Sequence, residues 1–93
     1  MPAYMVSQYR NGPEYDAYRK AVADLNRRHG ARILTRPGTA FCVEGNWDAD
    51  SMVIIEFPSL QAARGFYEST EYAAVKALRK DAAPLTIVVM DGA

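Results

Sequence analysis

One glutamate and one histidine are the side chains best suited to acid–base chemistry. Glu56 ends the apolar segment SMVIIEF at 51–57 and, if that segment is a strand, shares a face with Met52 and Ile54. Partial desolvation on such a face would raise the pKa of the Glu56 carboxyl and suit it to general acid or base catalysis. Alternatively, Glu56 pairs with an arginine or caps the helix that follows.

His29 is the only histidine of the chain, and its imidazole titrates closest to neutral pH, which makes it a candidate proton carrier. It also lies in the last turn of a predicted helix, where a histidine stabilises the helix C-terminus. Both roles are open. One histidine and one cysteine are too few for the usual zinc patterns, so we expect no metal and no other cofactor.

Two arginines and a tryptophan are candidates for binding a small ligand. Arg36 and Arg79 can form two-pronged hydrogen bonds with a carboxylate or a phosphate, although solvated surface arginines are more common. Trp47, in the turn EGNWD at 44–48, can form a lid or stack at a contact between two copies of the chain. These residue types predict recognition of a small polar or anionic group.

Three tyrosines complete the set of candidate ligand-binding residues. Tyr18, Tyr67 and Tyr72 fall on the inward faces of predicted helices by their spacing. Their hydroxyl groups can reach a cleft between helices and sheet, and aromatic core packing explains their positions equally well.

Composition and missing motifs exclude several classes of function. The 93 residues carry 11 basic and 11 acidic side chains, and no basic patch indicates nucleic acid binding. The motifs GxGxxG, GxxxxGKS/T and GxSxG are absent, which leaves dinucleotide binding, nucleotide hydrolysis and serine hydrolase chemistry without support. No signal peptide is recognisable and no apolar segment approaches the ~20 residues that span a bilayer, so we expect a cytoplasmic protein.

The N-terminal third predicts a strand followed by an amphipathic helix. The segment AYMVSQY at 3–9 is rich in aromatic and β-branched residues and precedes a cluster of turn residues. Asn11 or Gly12 can cap the helix that follows, and Gly30 can end it. Its apolar stripe recurs every three or four residues and comprises Tyr15, Tyr18, Val22, Leu25 and His29.

The middle of the chain predicts short strands separated by turns. The segments at 31–36, 40–45 and 51–57 are β-forming, and Pro37 with Gly38 and the residues at 46–48 separate them. Cys42 lies in the second of these segments. We interpret it as a structural residue of a strand, because no histidine or lysine flanks it to activate the thiol.

The C-terminal half predicts a broken helix and a last strand. Ser59 can cap a helix over 60–69, and Ser69 with Thr70 offers a second cap where the helix should break. The continuation to residue 80 places Tyr72, Val75 and Leu78 on one stripe. Pro84 ends it, and LTIVVM at 85–90 predicts a strand.

The resulting order of elements is that of a ferredoxin-like βαββαβ sandwich, an α+β fold, in one domain spanning residues 1–93. The last two predicted strands carry apolar side chains on both faces, whereas two helical regions can cover only one face. We therefore predict a homodimer in which a second copy packs sheet to sheet against the other face.

Three phrases go beyond generic patterning: HGAR at 29–32, EGNW at 44–47 and EFPSLQAARGFYESTEY at 56–72. Through them the sequence resembles, over nearly its whole length, a bacterial family called domain of unknown function 1330, a branch of the dimeric α/β-barrel superfamily. The resemblance implies a ferredoxin-like protomer and a dimeric α/β barrel of two facing sheets. Phe66 stands where the family favours tryptophan, which changes the wall of any shared pocket.

Two functions are open, because the superfamily includes cofactor-free oxygenases, isomerases, haem-handling proteins and sensor domains. The first is a homodimer with an enclosed small-molecule pocket that can serve as a cofactor-free enzyme. That hypothesis predicts a polar cavity surrounded by Glu56, Arg36, His29, Tyr67 and Tyr72. The second is a non-catalytic binding or stress-related module in which these side chains satisfy one another.

Overall fold

The computed structural model describes residues 1–10, 12–36, 38–82 and 85–93. Over these residues the strands form one antiparallel sheet in the order β2-β3-β1-β4. The strands are β1 Ala3–Tyr9, β2 Arg32–Ile33, β3 Ser51–Phe57 and β4 Thr86–Asp91. The α-helices are α1 Asp16–Arg28, α2 Leu60–Tyr67 and α3 Thr70–Lys76. This order and pairing confirm the predicted ferredoxin-like α+β fold.

The helices cover one face of the sheet. Along β1, buried residues alternate with half-buried ones, and the buried set begins with Ala3 and Met5. We call the face turned away from the helices the open face. By strand register it carries Tyr4, Val6, Gln8, Met52, Ile54, Glu56, Thr86, Val88 and Met90. This face is largely apolar, as the two-sided strands of the sequence predicted.

The core lies between the sheet and the helices and is dominated by aromatic rings. Phe57 of β3, Phe66 of α2 and Tyr72 of α3 are almost completely buried, together with Leu25 of α1. The Phe66 ring lies 5.2 Å from both the Phe57 ring and the Tyr72 ring. Burial of each such side chain contributes about 1.5–3 kcal/mol of hydrophobic free energy.

The first helical segment begins with a 3₁₀ turn and not with the regular α-helix that its apolar stripe predicts. Residues Pro13–Tyr15 form a 3₁₀ turn, and regular α-helix starts only at Asp16. Gly12 precedes this turn without a side-chain cap, and the alternative cap, Asn11, lies outside the described residues. Gly30 follows the helix with a φ of +76°, the left-handed conformation of a glycine stop.

The predicted strand at 40–45 is wrong. Residues 38–50 form no strand, and Phe41 and Val43 are 78% and 84% exposed. The pairing along this edge of β3 ends before that segment, because the Ile54 N–H donates to the Thr35 hydroxyl at 3.1 Å instead of to a backbone carbonyl. The ladder ends there, and the chain leaves the sheet.

The sequence predicted that Cys42 lies in a strand, and this prediction is consequently wrong. The residue lies in this exposed loop, and its thiol donates to the carbonyl oxygens of Glu44 and Gly45 at 3.2 and 3.3 Å. Pro37 was predicted to separate two β-forming segments, and Pro84 was predicted to end the last helical region. Both prolines lie outside the described residues.

The predicted break at Ser69 is confirmed. The backbone N–H of Ala62 donates to the Ser59 hydroxyl at the start of α2, and that of Tyr72 donates to the Ser69 hydroxyl at the start of α3, both at 3.0 Å. Ser69 also donates its hydroxyl to the Phe66 carbonyl at 2.7 Å. This serine therefore joins the end of one helix to the start of the next.

The predicted stripe of α3 holds for Tyr72 and Val75 but is wrong for Leu78, which is exposed. After Lys76 the chain tightens into a 3₁₀ turn, Ala77–Arg79. Leu78 lies within this turn, after the regular helix and its periodicity have ended. No helix of the described ranges is long and apolar enough to cross a membrane.

Replacing Ser69 with alanine should lower the free energy of unfolding by about 1 kcal/mol, because the cap on the Tyr72 N–H is lost. Ser59→Ala, which removes the matching cap of α2, should cost a similar amount. Denaturant unfolding of the three proteins measures both effects. A Ser69→Ala protein as stable as the wild type would contradict the joining role of this residue.

Candidate ligand site

A cavity of about 190 Å³ lies between the helix-covered face of the sheet and α1 and α3. We call it the cleft. Its wall is apolar and aromatic on both sides, and none of the described residues that line it is acidic. The sheet side and its flanks contribute Met5, Ser7, Tyr9, Ile33, Val53, Ile55, Leu85 and Ile87. The helix side contributes Tyr15, Tyr18, Arg19, Val22, Ala23, Asn26, Phe66 and Tyr72.

The polar end of the cleft is a hydrogen-bonded chain of two tyrosines and an arginine. The hydroxyl oxygens of Tyr18 and Tyr72 lie 2.8 Å apart. Nη2 of Arg79 donates to the Tyr72 hydroxyl at 3.4 Å, and the guanidinium carbon lies 5.0 Å from the centre of the Tyr18 ring. Three of the predicted ligand-binding residues therefore lie together.

Tyr18 and Arg79, at the two ends of these linked side chains, both keep their protons at neutral pH. Burial raises the pKa of Tyr18, and its hydrogen bond with Tyr72 raises it further. Burial alone would lower the pKa of Arg79, but the contacts with Tyr72 and Tyr18 outweigh it, so that the pKa is raised overall. At neutral pH the site contains a neutral Tyr18 phenol and a guanidinium cation.

One tyrosine O–H in this chain has no acceptor among the described residues. If Tyr18 donates to Tyr72, the Tyr72 proton is left over, and if Tyr72 donates, the Tyr18 proton is left over. Either arrangement offers a ligand one phenolic O–H at the wall of the cleft. The arrangement favours recognition of a hydrogen-bond acceptor.

Asn26 is a second polar group in the wall, and sequence reasoning missed it. Its side chain is 1% exposed, and neither its amide oxygen nor its amide nitrogen has a hydrogen-bond partner among the described residues. Leaving such a group buried and unpaired costs about 1–3 kcal/mol. The available signal was its position four residues after Val22, where a helix presents the same face.

Glu56 lies on the opposite side of the sheet from the cleft. It shares the open face with Met52 and Ile54, and its carboxylate forms an ion pair with Arg32 at 2.9 Å. The Tyr4 hydroxyl also donates to it at 3.5 Å. Glu56 therefore pairs with an arginine, which is the structural alternative that the sequence left open. It does not share a pocket with the tyrosines of the cleft.

His29 follows the last residue of α1 and lies behind the wall of the cleft. Its ring packs edge-on against Phe66 at 5.3 Å, and Nε2 lies 3.5 Å from a carboxylate oxygen of Glu71. Phe66, which stands where the family resemblance favours tryptophan, lines the cleft and separates it from the imidazole.

The remaining predicted residues also lie outside the cleft. The Tyr67 ring packs on the outer side of Tyr72, with ring centres 4.9 Å apart. Arg36 is an exposed loop residue whose carbonyl accepts a hydrogen bond from Thr39. Trp47 donates its indole N–H to Gln8 of the open face at 2.9 Å. The predicted pocket formed by Glu56, Arg36, His29, Tyr67 and Tyr72 is therefore not one site.

The four-stranded antiparallel sheet with helices on one face places this protein in the class of ferredoxin-like α+β domains. The chain belongs to the family named domain of unknown function 1330 (DUF1330), whose model matches residues 2–93. The family resemblance of the sequence is thereby confirmed. No curated protein sequence matches the chain.

Solved structures of similar fold come from several bacteria. A protein of unknown function from Rhodopseudomonas palustris is 19% identical and has a TM-score of 0.75, over 99% of this chain and 82% of that one. A dimeric ferredoxin-like protein of unknown function from Bacteroides fragilis is 12% identical, with a TM-score of 0.64 over 98% and 96% of the chains. A dimeric ferredoxin-like protein from Thermobifida fusca is 15% identical, with a TM-score of 0.62 over 99% and 92%.

The raised pKa of Tyr18 predicts a loss of stability at alkaline pH. Its stabilising contribution is complete below the ordinary tyrosine pKa of 10.0 and is lost as the pH rises above it, because the unfolded chain then releases a proton that the folded chain retains. Tyr18→Phe should reduce this pH dependence by up to about 1.4 kcal/mol per pH unit. Denaturant unfolding between about pH 9 and pH 11 measures it. Tyr67→Phe is the control, and an unchanged slope in Tyr18→Phe would contradict the assignment.

Proposed function

We propose that this protein is a homodimer whose protomers each bind a small, largely apolar molecule in the cleft. The observation that carries the proposal is the Asn26 amide, which is buried in the wall of an apolar cavity without a hydrogen-bond partner among the described residues. A protein stabilised only for its fold gains by replacing such a group with an apolar one. A ligand in the cleft that hydrogen-bonds to the Asn26 amide would satisfy these two polar atoms and explain why the residue is polar.

The size of the cleft supports a ligand of about one aromatic ring. Its volume is about 190 Å³, and an apolar cavity of about 150 Å³ in another protein holds benzene. The rings of Tyr9, Tyr15, Tyr18, Phe66 and Tyr72 line it. Aromatic walls favour a planar ring in stacked or edge-on contact.

The two polar groups of the wall support a molecule with a polar substituent at each end or along one edge. Tyr18 and Asn26 lie on α1 eight residues apart, which separates their backbones by about 12 Å along the helix axis. The tyrosine pair offers a donor, while the amide offers both a donor and an acceptor. Such sparse, placed polar groups in an apolar wall are typical of specific small-molecule sites.

Binding without acid–base catalysis is the function that the cleft supports best. Glu56 and His29, the predicted catalytic residues, lie outside it, and the described residues that line it include no acid, histidine or cysteine. The raised pKa of Tyr18 makes its phenol a hydrogen-bond donor instead of a general base at neutral pH. Of the two functions that the sequence left open, we therefore propose the ligand-binding module.

The open face supports the homodimer. Val88 and Met90 of β4 are exposed there beside half-buried Val6 and Ile54, and an apolar sheet face of this kind requires a cover. A second copy of the same face is the simplest self-complementary cover, because a twofold axis then buries both surfaces at once. The similar solved structures described as dimeric agree with this arrangement.

A charge on the open face should dissociate the dimer. Val88→Asp should shift the mass measured by light scattering at micromolar concentration from twice 10.3 kDa to 10.3 kDa, because burying an unpaired carboxylate costs several kcal/mol. Leu78→Asp is a matched control, since the exposed fractions of Leu78 and Val88 are 48% and 45% and only Val88 lies on the sheet. A wild-type protein of monomer mass would refute the proposal.

Replacing Asn26 with leucine should separate stability from binding. The apo protein should gain about 1 kcal/mol in the free energy of unfolding, because two unpaired polar atoms leave the interior. The same variant should lose much of the rise in melting temperature that single-ring probes with a polar group at each end, such as 4-hydroxybenzamide and 4-hydroxybenzoate, give the wild type. A probe at about 100 times its Kd adds about 2.7 kcal/mol, a shift that is easily measured.

Gln61→Leu is the control for this experiment, because it places a leucine on the exposed face of α2 and leaves the cleft unchanged. It should retain every ligand-induced shift. If Asn26→Leu destabilises the apo protein, or if no single-ring probe raises the melting temperature of the wild type, the proposed function is wrong.

A further inference from the structure

Two arginines beside the cleft lack an acidic partner. Nη2 of Arg19 donates to the Gly12 carbonyl at 3.3 Å, and its guanidinium carbon lies 5.5 Å from the centre of the Tyr9 ring. The Arg79 guanidinium hydrogen-bonds to Tyr72 and lies over the Tyr18 ring. Nε of each arginine is buried and has no hydrogen-bond partner among the described residues. Neither guanidinium lies within ion-pair distance of a carboxylate in the described part of the chain.

The arginines elsewhere on α1 and β2 behave differently. Arg27 and Arg28 form ion pairs with Asp24, at 3.1 and 3.2 Å, and Arg32 pairs with Glu56. The chain as a whole has equal numbers of basic and acidic groups. Arg19 and Arg79 instead lie at the two ends of a row of ring contacts in the wall, Tyr9–Tyr15–Tyr18, and bring positive charge to that part of the cleft.

The charges felt by Tyr15, another residue of the wall, agree with this. Burial raises the pKa of Tyr15, and among the charged groups Arg79 has the largest influence, which lowers it. Glu14 raises this pKa and Arg19 lowers it again, each by less than Arg79. Both arginines therefore act in the same direction on the Tyr15 hydroxyl.

We infer that the ligand of the cleft is a single-ring organic anion, with its negative group beside the row of rings Tyr9, Tyr15 and Tyr18, whose two ends carry Arg19 and Arg79. The inference rests on the proposed function and specifies the charge of the ligand. A carboxylate or phenolate there accepts the spare tyrosine O–H and lies near guanidinium groups in an apolar surrounding. Charge-assisted hydrogen bonds of this kind are about twice as strong as neutral ones.

The positive charge of Arg79 acts on a ligand in the cleft through the tyrosines, because Arg79 itself does not line the cleft. Arg19 lines the cleft itself, whereas Arg79 reaches it by its hydrogen bond to Tyr72 and its position over Tyr18. A donor hydroxyl that accepts from a cation is polarised toward a stronger donor. Arg79 is thus a positioning residue that strengthens the tyrosine donor, and Arg19 is the direct electrostatic partner of the anion.

The charge is tested with benzoate and benzamide, which have nearly the same shape and differ in net charge. Calorimetric titration of the full-length wild type should give a Kd for benzoate at least about tenfold below that for benzamide. Equal dissociation constants would overturn the inference and leave the proposed function intact. Binding of neither compound would overturn both.

Variants of the two arginines locate the effect. Arg19→Gln and Arg79→Gln should each weaken benzoate binding by about tenfold and benzamide binding by much less, because the neutral amide loses no ion–ion attraction, and continued binding of benzamide also shows that the variant cleft is folded. Arg79→Lys retains the charge and should recover part of the preference for benzoate. Arg64→Gln removes an exposed positive charge from α2 and should affect neither compound. A preference for benzoate that survives in both glutamine variants would overturn the inference.

Discussion

The hydrogen bond between Tyr18 and Tyr72 joins α1 to α3 within the helical layer, and much of the molecule is arranged around it. Tyr72 is held from below by the Phe66 ring, from outside by the Tyr67 ring and at its backbone by the Ser69 hydroxyl. Because both hydroxyls are buried, neither can be withdrawn from the bond without leaving an unpaired polar group. The bond holds α1 and α3 at a fixed separation above the sheet, and this separation is what leaves space for a cleft.

The cleft lowers the stability of the fold. An empty apolar cavity loses packing contacts, and the unpaired amide of Asn26 adds the cost of desolvation. Small domains have only a few kcal/mol to lose. The ligand proposed for the cleft would offset part of this cost in a chain of 93 residues.

Local patterns predicted the elements well, because strand and helix periodicity are written in neighbouring residues. The strands at Ala3–Tyr9 and Ser51–Phe57 and the break at Ser69 follow from such patterns. The strand predicted at 40–45 is absent because β-forming residues make a strand only where a partner strand is available, and the pairing along this edge of β3 ends at Thr35. The site was harder to predict: which face of β3 meets the helices is decided by the whole fold, so Glu56 could not be separated from the tyrosines by sequence alone. Asn26 and Arg19 were missed for a related reason, since a cavity is a property of packing.

The alternation of side chains along β1 has an evolutionary consequence. Met5 borders the cleft, while its neighbour Val6 points to the open face, so adjacent codons serve different surfaces of one sheet. The proposed ligand binding and the proposed self-association depend on different side chains of this strand and can therefore diverge independently by point substitution. An insertion or deletion of one residue within the strand, in contrast, would exchange the two surfaces at once. Lineages descended from such a protein are free to change what they bind while keeping their assembly, provided that the length of this strand is preserved.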